Sequence, residues 1–318
     1  MSGGFFNQIE DLVGLAILAR ERGSALFLPD VAQHVVRPEP TPFSTVFEVE
    51  PLARALSEHG MRLVTREDAE RSANWSRHTI HPRECRERWD RYQRQHENAY
   101  RRLPLDPLAR AVHIGLVPHA RLRAVADDFV RATFGGKPFG CLHARIERDM
   151  MIFARSVGGG KPPLLKEYLE QMRAVPELRD LRHWFVAVGK NIPRPQDEHL
   201  LDRGTYGPWL LSRRRFRTTD AFDPLSVNPS FMRVVKVRLN RTHLVDVVTP
   251  GYLDEAVIDA TVCRRASWFV GWQGSSFARG MARYHRLDYG RDYFSVCSNG
   301  SIARLDDGGA QSRRCVIG

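Results

Sequence analysis

Residues 258–281 read IDATVCRRASWFVGWQGSSFARGM, and the order of apolar and small residues in them decides the fold. The first part closes a helix-forming stretch that spans Leu253 to Arg264. Ser267 to Gly271 is a short, continuous apolar run of the kind that makes a strand buried on both faces. A glycine turn follows, and Phe277 to Arg286 returns to helix spacing, with Ser275 and Ser276 where an N-cap usually stands. Helix, strand, turn and helix in succession are the unit of an α/β protein with a parallel sheet.

The alternation extends in both directions. Upstream, Phe139 to Ala144 reads as a strand, Leu164 to Ala174 as a helix, and His183 to Val188, Met232 to Val237 and Thr242 to Val248 as strands. Nearer the start, apolar residues from Ile9 to Arg22 have helical spacing, and Ser24 to Leu28 form a strand ended by Pro29. A helix from about Pro51 to Glu58, a strand at Met61 to Val64, a charged helix around Glu84 to Tyr100 and a strand at Ala111 to Val117 come next. Pro118 then opens a helix as its first residue, running to about Thr133. Phe134-Gly-Gly-Lys-Pro138 breaks the pattern, so we expect a domain of residues 1–134 and a second of 135–318. A length of 318 residues suits two domains of ~150 residues each. The Pro-, Arg- and Asp-rich stretch from Asn191 to Pro229 reads as a long loop that shapes an acceptor groove.

Composition narrows the chemistry. The chain is 42% apolar and 27% charged, and no segment approaches the ~20 apolar residues needed to span a bilayer. Net charge is +11, and only five of the 48 basic residues are lysine. Arginine forks match phosphate and carboxylate oxygens bidentately, which favours phosphorylated ligands, nucleic acid or acidic glycans. Cys85, Cys141, Cys263, Cys297 and Cys315 lack CxxC spacing, which gives no recognisable zinc site and leaves at least one unpaired. The chain begins inside a turn, without a signal-peptide pattern and without the strand that would open an α/β domain, so we expect a truncated N-terminus.

Two further stretches have chemical potential. In Gly3-Gly-Phe-Phe-Asn-Gln8, glycines let backbone N–H groups approach a ligand at the positive end of a helix beginning near Gln8, and Asn7 and Gln8 would add amide donors. The same residues also suit a tight turn with a side-chain cap. In Cys141 to Met150, a strand delivers His143 and Arg145 on one face at the sheet end where open α/β proteins bind ligands; a structural ion pair of Arg145 with Glu147 or Asp149 fits equally. Gly158-Gly-Gly-Lys-Pro162 lacks the spacing of a phosphate loop, and Arg213 to Arg217 is a basic run without a nucleic-acid-binding module.

In order and spacing these stretches resemble the protein O-fucosyltransferase superfamily, whose fold is GT-B, two Rossmann-like domains facing each other across a cleft. Gly3 to Gln8 is similar to its G-x-x-x-N-Q opening, and Cys141 to Met150 resembles its H-x-R strand with the E-x-D-M ending of the plant branch. Asp259, Ala266, Gly271 and Gly274-Ser-Ser-Phe277 resemble its D...A...G...SSF block. Ala144 stands where the family usually has a bulky apolar residue, Trp272 where it has Asn, and Glu147 where the animal branch has Gly.

The resemblance implies an inverting transferase that needs no metal or cofactor and moves fucose from GDP-fucose to a protein or glycan hydroxyl. GDP-mannose or a nucleotide-linked rhamnose is the alternative donor; the alternative from another class is a basic nucleic-acid- or polyanion-binding protein. Arg145 would bind the β-phosphate and assist its departure, and His143 and Asp259 would hold the guanine nucleotide. Gly4, Phe6 and Asn7 would lie near the sugar and diphosphate, with Gly274, Ser275, Ser276 and Phe277 on the phosphates. The family's compartment is the ER or Golgi lumen if a leader is missing; a complete chain would be cytoplasmic.

A fixed guanidinium stabilises charge developing on a departing diphosphate, and loss of one such donor costs ~3 kcal/mol of barrier. Arg145→Ala is therefore expected to lower turnover by roughly a hundredfold or more while leaving the fold intact. Turnover at the wild-type rate would remove Arg145 from the mechanism.

Overall fold

The computed structural model describes residues 5–32, 40–65, 68, 71, 107–144, 165–181, 183–187, 233–235, 252–272, 275–290, 293–297 and 301–305. The elements expected at Glu84 to Tyr100, Asn191 to Pro229 and Thr242 to Val248 lie outside these residues. The chain divides into two compact units, residues 1–124 with 250–258 and residues 125–249 with 259–318.

The first unit is organised around α1 (Phe5–Glu21). Phe6, Leu12, Val13 and Ala16 are each at most 1% exposed, so this helix is covered on most sides rather than lying on a surface. It starts earlier than its apolar spacing predicts, because Phe5 packs on Phe6 and stacks on Phe47. Asn7 and Gln8 thus belong to its first turn. After it, β1 (Leu26–Phe27) pairs in parallel with β4 (Leu63–Val64), and β2 (Val31–Ala32) pairs antiparallel with β3 (Pro40–Thr41). Between them lies α2 (Val49–Ser57), whose Leu52 and Leu56, one turn apart, are fully buried.

Of the residues expected as a strand at Ala111 to Val117, Ala111 to Gly115 are instead helical. They fall in α3 (Pro107–Gly115), where Leu108, Ala111, Val112 and Gly115 are buried at i, i+3, i+4 and i+7. The apolar run hid this period because the pattern begins at Leu108, and Pro107 supplies a favourable first helical residue. A Cβ on Gly115 would come 2.8 Å from the Leu52 Cα, so the glycine is what lets α3 lie close to α2.

Pro118 does not open the next helix either. It forms a β-bridge with Phe47, and α4 (Ala120–Phe134) starts two residues later. The Ala120 N–H donates to Oε1 of Glu48 at 2.8 Å, so the helix is capped by a carboxylate from a distant part of the chain. Gly135 and Gly136, with φ of 54° and 80°, end α4 in the left-handed conformation that favours glycine.

The second unit holds a six-stranded sheet in the order β10-β9-β8-β5-β6-β7. Its strands are β5 (Gly140–His143), β6 (His183–Ala187), β7 (Arg233–Val235), β8 (Trp268–Trp272), β9 (Tyr293–Val296) and β10 (Ile302–Leu305). All neighbours are parallel except β9 and β10, which are antiparallel at one edge. The spans of β5 to β8 agree with the expected ones to within about two residues, their unbroken apolar runs reflecting strands covered on both faces, whereas β9 and β10 had not been expected.

On one face Leu142, Trp184, Val186, Val270 and Phe294 meet residues of α5 (Leu165–Arg173) and Leu178 of α6 (Pro176–Arg179). The other face carries Cys141, Phe185 and Phe269 toward α7 (Tyr252–Arg264) and α8 (Ser276–Tyr289). Strand β5 is fully buried between β6 and β8.

Gly140 lies beneath the Trp184 indole, and a Cβ there would come 2.6 Å from the ring. The ring cannot easily step aside, because its Nε1–H donates to the Leu181 carbonyl at 2.9 Å. Gly140→Ala is expected to cost about 1–3 kcal/mol, read as a lower midpoint in urea unfolding; an unchanged midpoint would show that the indole yields freely.

Candidate functional site

The C-terminal edge of a parallel sheet is where open α/β proteins bind ligands, because strand ends and helix starts converge there. His143 is the last residue of β5 and stands in register between Ala187 of β6 and Gly271 of β8. Two small neighbours leave room above the imidazole, which is only 6% exposed. That room is taken by Phe277, whose ring stacks on the imidazole at 4.5 Å between centroids and 18° between planes.

The approach of α8 depends on Gly271. A Cβ at that position would come 2.7 Å from the Cβ of Ala278, so only glycine lets the first turn of α8 rest on β8. The turn between them is closed by the Ser275 N–H donating to the Trp272 carbonyl at 2.9 Å. Ser275 takes the extended N-cap conformation, φ −88° and ψ 127°, yet makes no side-chain cap hydrogen bond. The first N–H groups of α8 are therefore not satisfied by this hydroxyl, and they sit at the positive end of a fourteen-residue helix. Ser276 and Phe277 are both half-buried in that turn.

Asp259, half-buried on α7, lies one turn before Cys263. The Cys263 sulfur forms a disulfide with Cys141, two residues before His143, with Cα atoms 5.2 Å apart. The Cys263 carbonyl accepts a hydrogen bond from His285 Nε2 at 2.8 Å. Arg264 adds a bidentate ion pair with Asp288 at 2.7 and 2.8 Å, and its guanidinium lies 4.2 Å from the Tyr284 ring centroid. Burial pushes the Tyr284 phenol up to about 12, which keeps it neutral in ordinary buffers. Arg265 pairs with Asp127 and donates to the Thr261 carbonyl. The end of α7 is thus tied to β5 by a covalent bond and to α8 by His285 and Arg264.

The structure brings together His143 and Phe277, with Ser275 and Ser276 beside them. Arg145, Gly4 and Gly274 lie outside the described residues, as do Glu147 and Asp149. Phe6 is packed in the core of the first unit at 1% exposure, while Asn7 is half-buried in the first turn of α1. One expectation is overturned. Gln8 offers no amide to a ligand, because its side chain is 3% exposed and spends both ends on the backbone of Ala32. Sequence reasoning also missed the Cys141–Cys263 bond, although each cysteine sits inside a motif singled out for other residues, and Cys297 is disulfide-bonded as well.

A family model for the GDP-fucose protein O-fucosyltransferase matches residues 1–288. Comparison with curated protein sequences finds no significant match. Among solved structures, POFUT1 in complex with GDP is similar at a TM-score of 0.55 and 15% identity, over 92% of this chain and 95% of that one. POFUT1 in complex with GDP-fucose gives 0.55 and 14%, over 89% and 91%. The fucosyltransferase NodZ from Bradyrhizobium gives 0.54 and 15%, over 96% and 97%. At such identities the likeness shows the fold, and the α/β chain shares the GT-B fold of these proteins.

Gly271→Ala is expected to lift α8 off β8 and cost about 1–3 kcal/mol in urea unfolding. Adding Ala278→Gly should restore most of it, less the ~1 kcal/mol that a helical glycine costs. No recovery in the double variant would mean that the two residues are not in contact.

Proposed function

The chain belongs to the GDP-fucose protein O-fucosyltransferase family, and from that premise we propose that it is a glycosyltransferase that moves fucose from GDP-fucose to a protein or glycan hydroxyl. The observation that carries this reading is the His143–Phe277 stack at the end of β5, which unites two family motifs from distant parts of the sequence beside the N-terminus of α8. Neighbours of the same fold were crystallised with GDP and with GDP-fucose.

In this reading residues 135–318 bind the nucleotide sugar and residues 1–134 serve the acceptor. His143 and Asp259 hold the guanine nucleotide, with Phe277 against the imidazole. The diphosphate lies at the start of α8, where first-turn N–H groups and the Ser275 and Ser276 hydroxyls act as donors. Arg145, two residues beyond His143, takes the β-phosphate. Charge on the leaving oxygen is then stabilised by a guanidinium and a helix terminus fixed before the bond breaks. These donors can take the role that a divalent cation plays elsewhere, so the proposed reaction needs no metal. Direct attack by the acceptor hydroxyl on the face opposite the diphosphate inverts the anomeric centre.

The disulfide between two fully buried cysteines supports an oxidising compartment such as the ER or Golgi lumen, since such bonds are rare where glutathione keeps thiols reduced.

Thermal-shift measurements test the donor. Saturating GDP is expected to raise the melting temperature, at about 2.7 kcal/mol for a hundredfold excess over Kd, and UDP is not. Hydrolysis screened over GDP- and UDP-sugars should be fastest with GDP-fucose. Stabilisation by UDP alone would overturn the proposal.

A further inference from the structure

We propose that Phe277 is a positioning residue: its ring sets the plane of the His143 imidazole, so that His143 meets the nucleobase edge-on and discriminates guanine from adenine, which rests on the place of His143 beside the guanine nucleotide in the proposed function. The two rings stack at 4.5 Å between centroids and 18° between planes. The χ2 torsion of histidine is broad, so the backbone of β5 does not by itself choose a plane for the imidazole. A ring laid flat against it does. The face toward Phe277 is closed to a base, and the ring nitrogens direct their hydrogen bonds outward in the plane that Phe277 sets.

The place of Phe277 follows from the seat of α8. His143 and Gly271 are register partners on adjacent strands. Ala278 is seated on Gly271, where an added Cβ would come 2.7 Å from its own. Residues 277 and 278 project about 100° apart around the helix, so with Ala278 turned down onto β8 its predecessor turns sideways over the end of β5. A hydrogen bond weakens steeply with angle, so an imidazole held in one plane is selective where a swinging one is not. Guanine and adenine present opposite groups at position 6, a carbonyl acceptor and an amino donor. An edge-on hydrogen bond can tell them apart, whereas stacking tolerates every base.

The experiment measures GDP affinity by calorimetry, and ADP affinity by displacement, for the wild type, Phe277→Leu, Phe277→Tyr, His143→Ala and the double variant His143→Ala/Phe277→Leu. Leucine keeps apolar bulk and the backbone N–H of the first turn but removes the flat ring. Phe277→Leu is expected to weaken GDP binding by about tenfold, as loss of one hydrogen bond would, and to leave ADP, held through its diphosphate, nearly unchanged. Phe277→Tyr keeps the ring and should keep the preference for GDP. In the His143→Ala background, Phe277→Leu should change neither affinity further. Equal losses for GDP and ADP, which a merely structural role at the start of α8 would give, overturn this inference and leave the proposed function standing. Unchanged GDP affinity in Phe277→Leu, a lost preference in Phe277→Tyr, or additive losses in the double variant do the same. Wild-type GDP affinity in His143→Ala, or no preference for GDP in the wild type, overturns the place of His143 beside the base and this inference together.

Discussion

The bond between Cys141 and Cys263 is the constraint on which the geometry of the second unit turns. It joins the central strand of the sheet to the helix that crosses behind it, and it closes a separation of 122 residues. In the chain-entropy account such a closure is worth on the order of 5 kcal/mol. Its position matters as much as its strength. His143 follows one cysteine by two residues and Asp259 precedes the other by one turn, so two expected ligands of the nucleotide are held at fixed separation whatever the intervening chain does.

The alternation of side chains along β5 and β8 then divides the labour. Residues pointing to the α8 face are Cys141, His143, Phe269 and Gly271, which carry the disulfide, the imidazole and the gap that α8 fills. Those pointing the other way are Leu142, Ala144, Val270 and Trp272, all in one buried cluster. His143 and Gly271 are register partners, so the next residues, Ala144 and Trp272, stand side by side in that cluster. These are two of the positions at which the sequence departs from the family pattern it resembles. A small residue on one strand beside a large one on the next conserves volume, and volume-conserving exchanges are the ones a core tolerates. These two departures therefore fall on the packing face of the sheet, away from the face that presents His143.

Much of this was legible in the sequence for a physical reason. Parallel strands buried on both faces give unbroken apolar runs, and those runs alone placed strands at Phe139 to Ala144 and Ser267 to Gly271, each bound within one residue of the observed one. Helices were less clear where a short apolar run carried both periods. Ala111 to Val117 looked like a strand because the residue that sets the helical phase, Leu108, lies outside it. Pairings across the chain had no local signal at all. Nothing near Gln8 indicates Ala32 as its partner, and nothing near Ala120 indicates Glu48. Such contacts are settled by tertiary packing, which a single sequence does not display.

The start of α8, whose N-cap serine makes no side-chain cap bond, is informative when set beside that of α4. Both helices begin after a turn, and α4 has its first N–H satisfied by a carboxylate from another element. In α8 a serine occupies the N-cap with the right backbone conformation and does not use its hydroxyl there. An N-cap bond is commonly worth about 1 kcal/mol, so leaving it unmade has a stability cost where the same residue could avoid it. A helix start whose N-cap hydroxyl is not spent on the backbone, beside a sheet end that presents a histidine, suits an anion. Under the proposed function the serine hydroxyl meets the diphosphate, and donors that bind it in the ground state are already in place for the greater charge it bears on leaving.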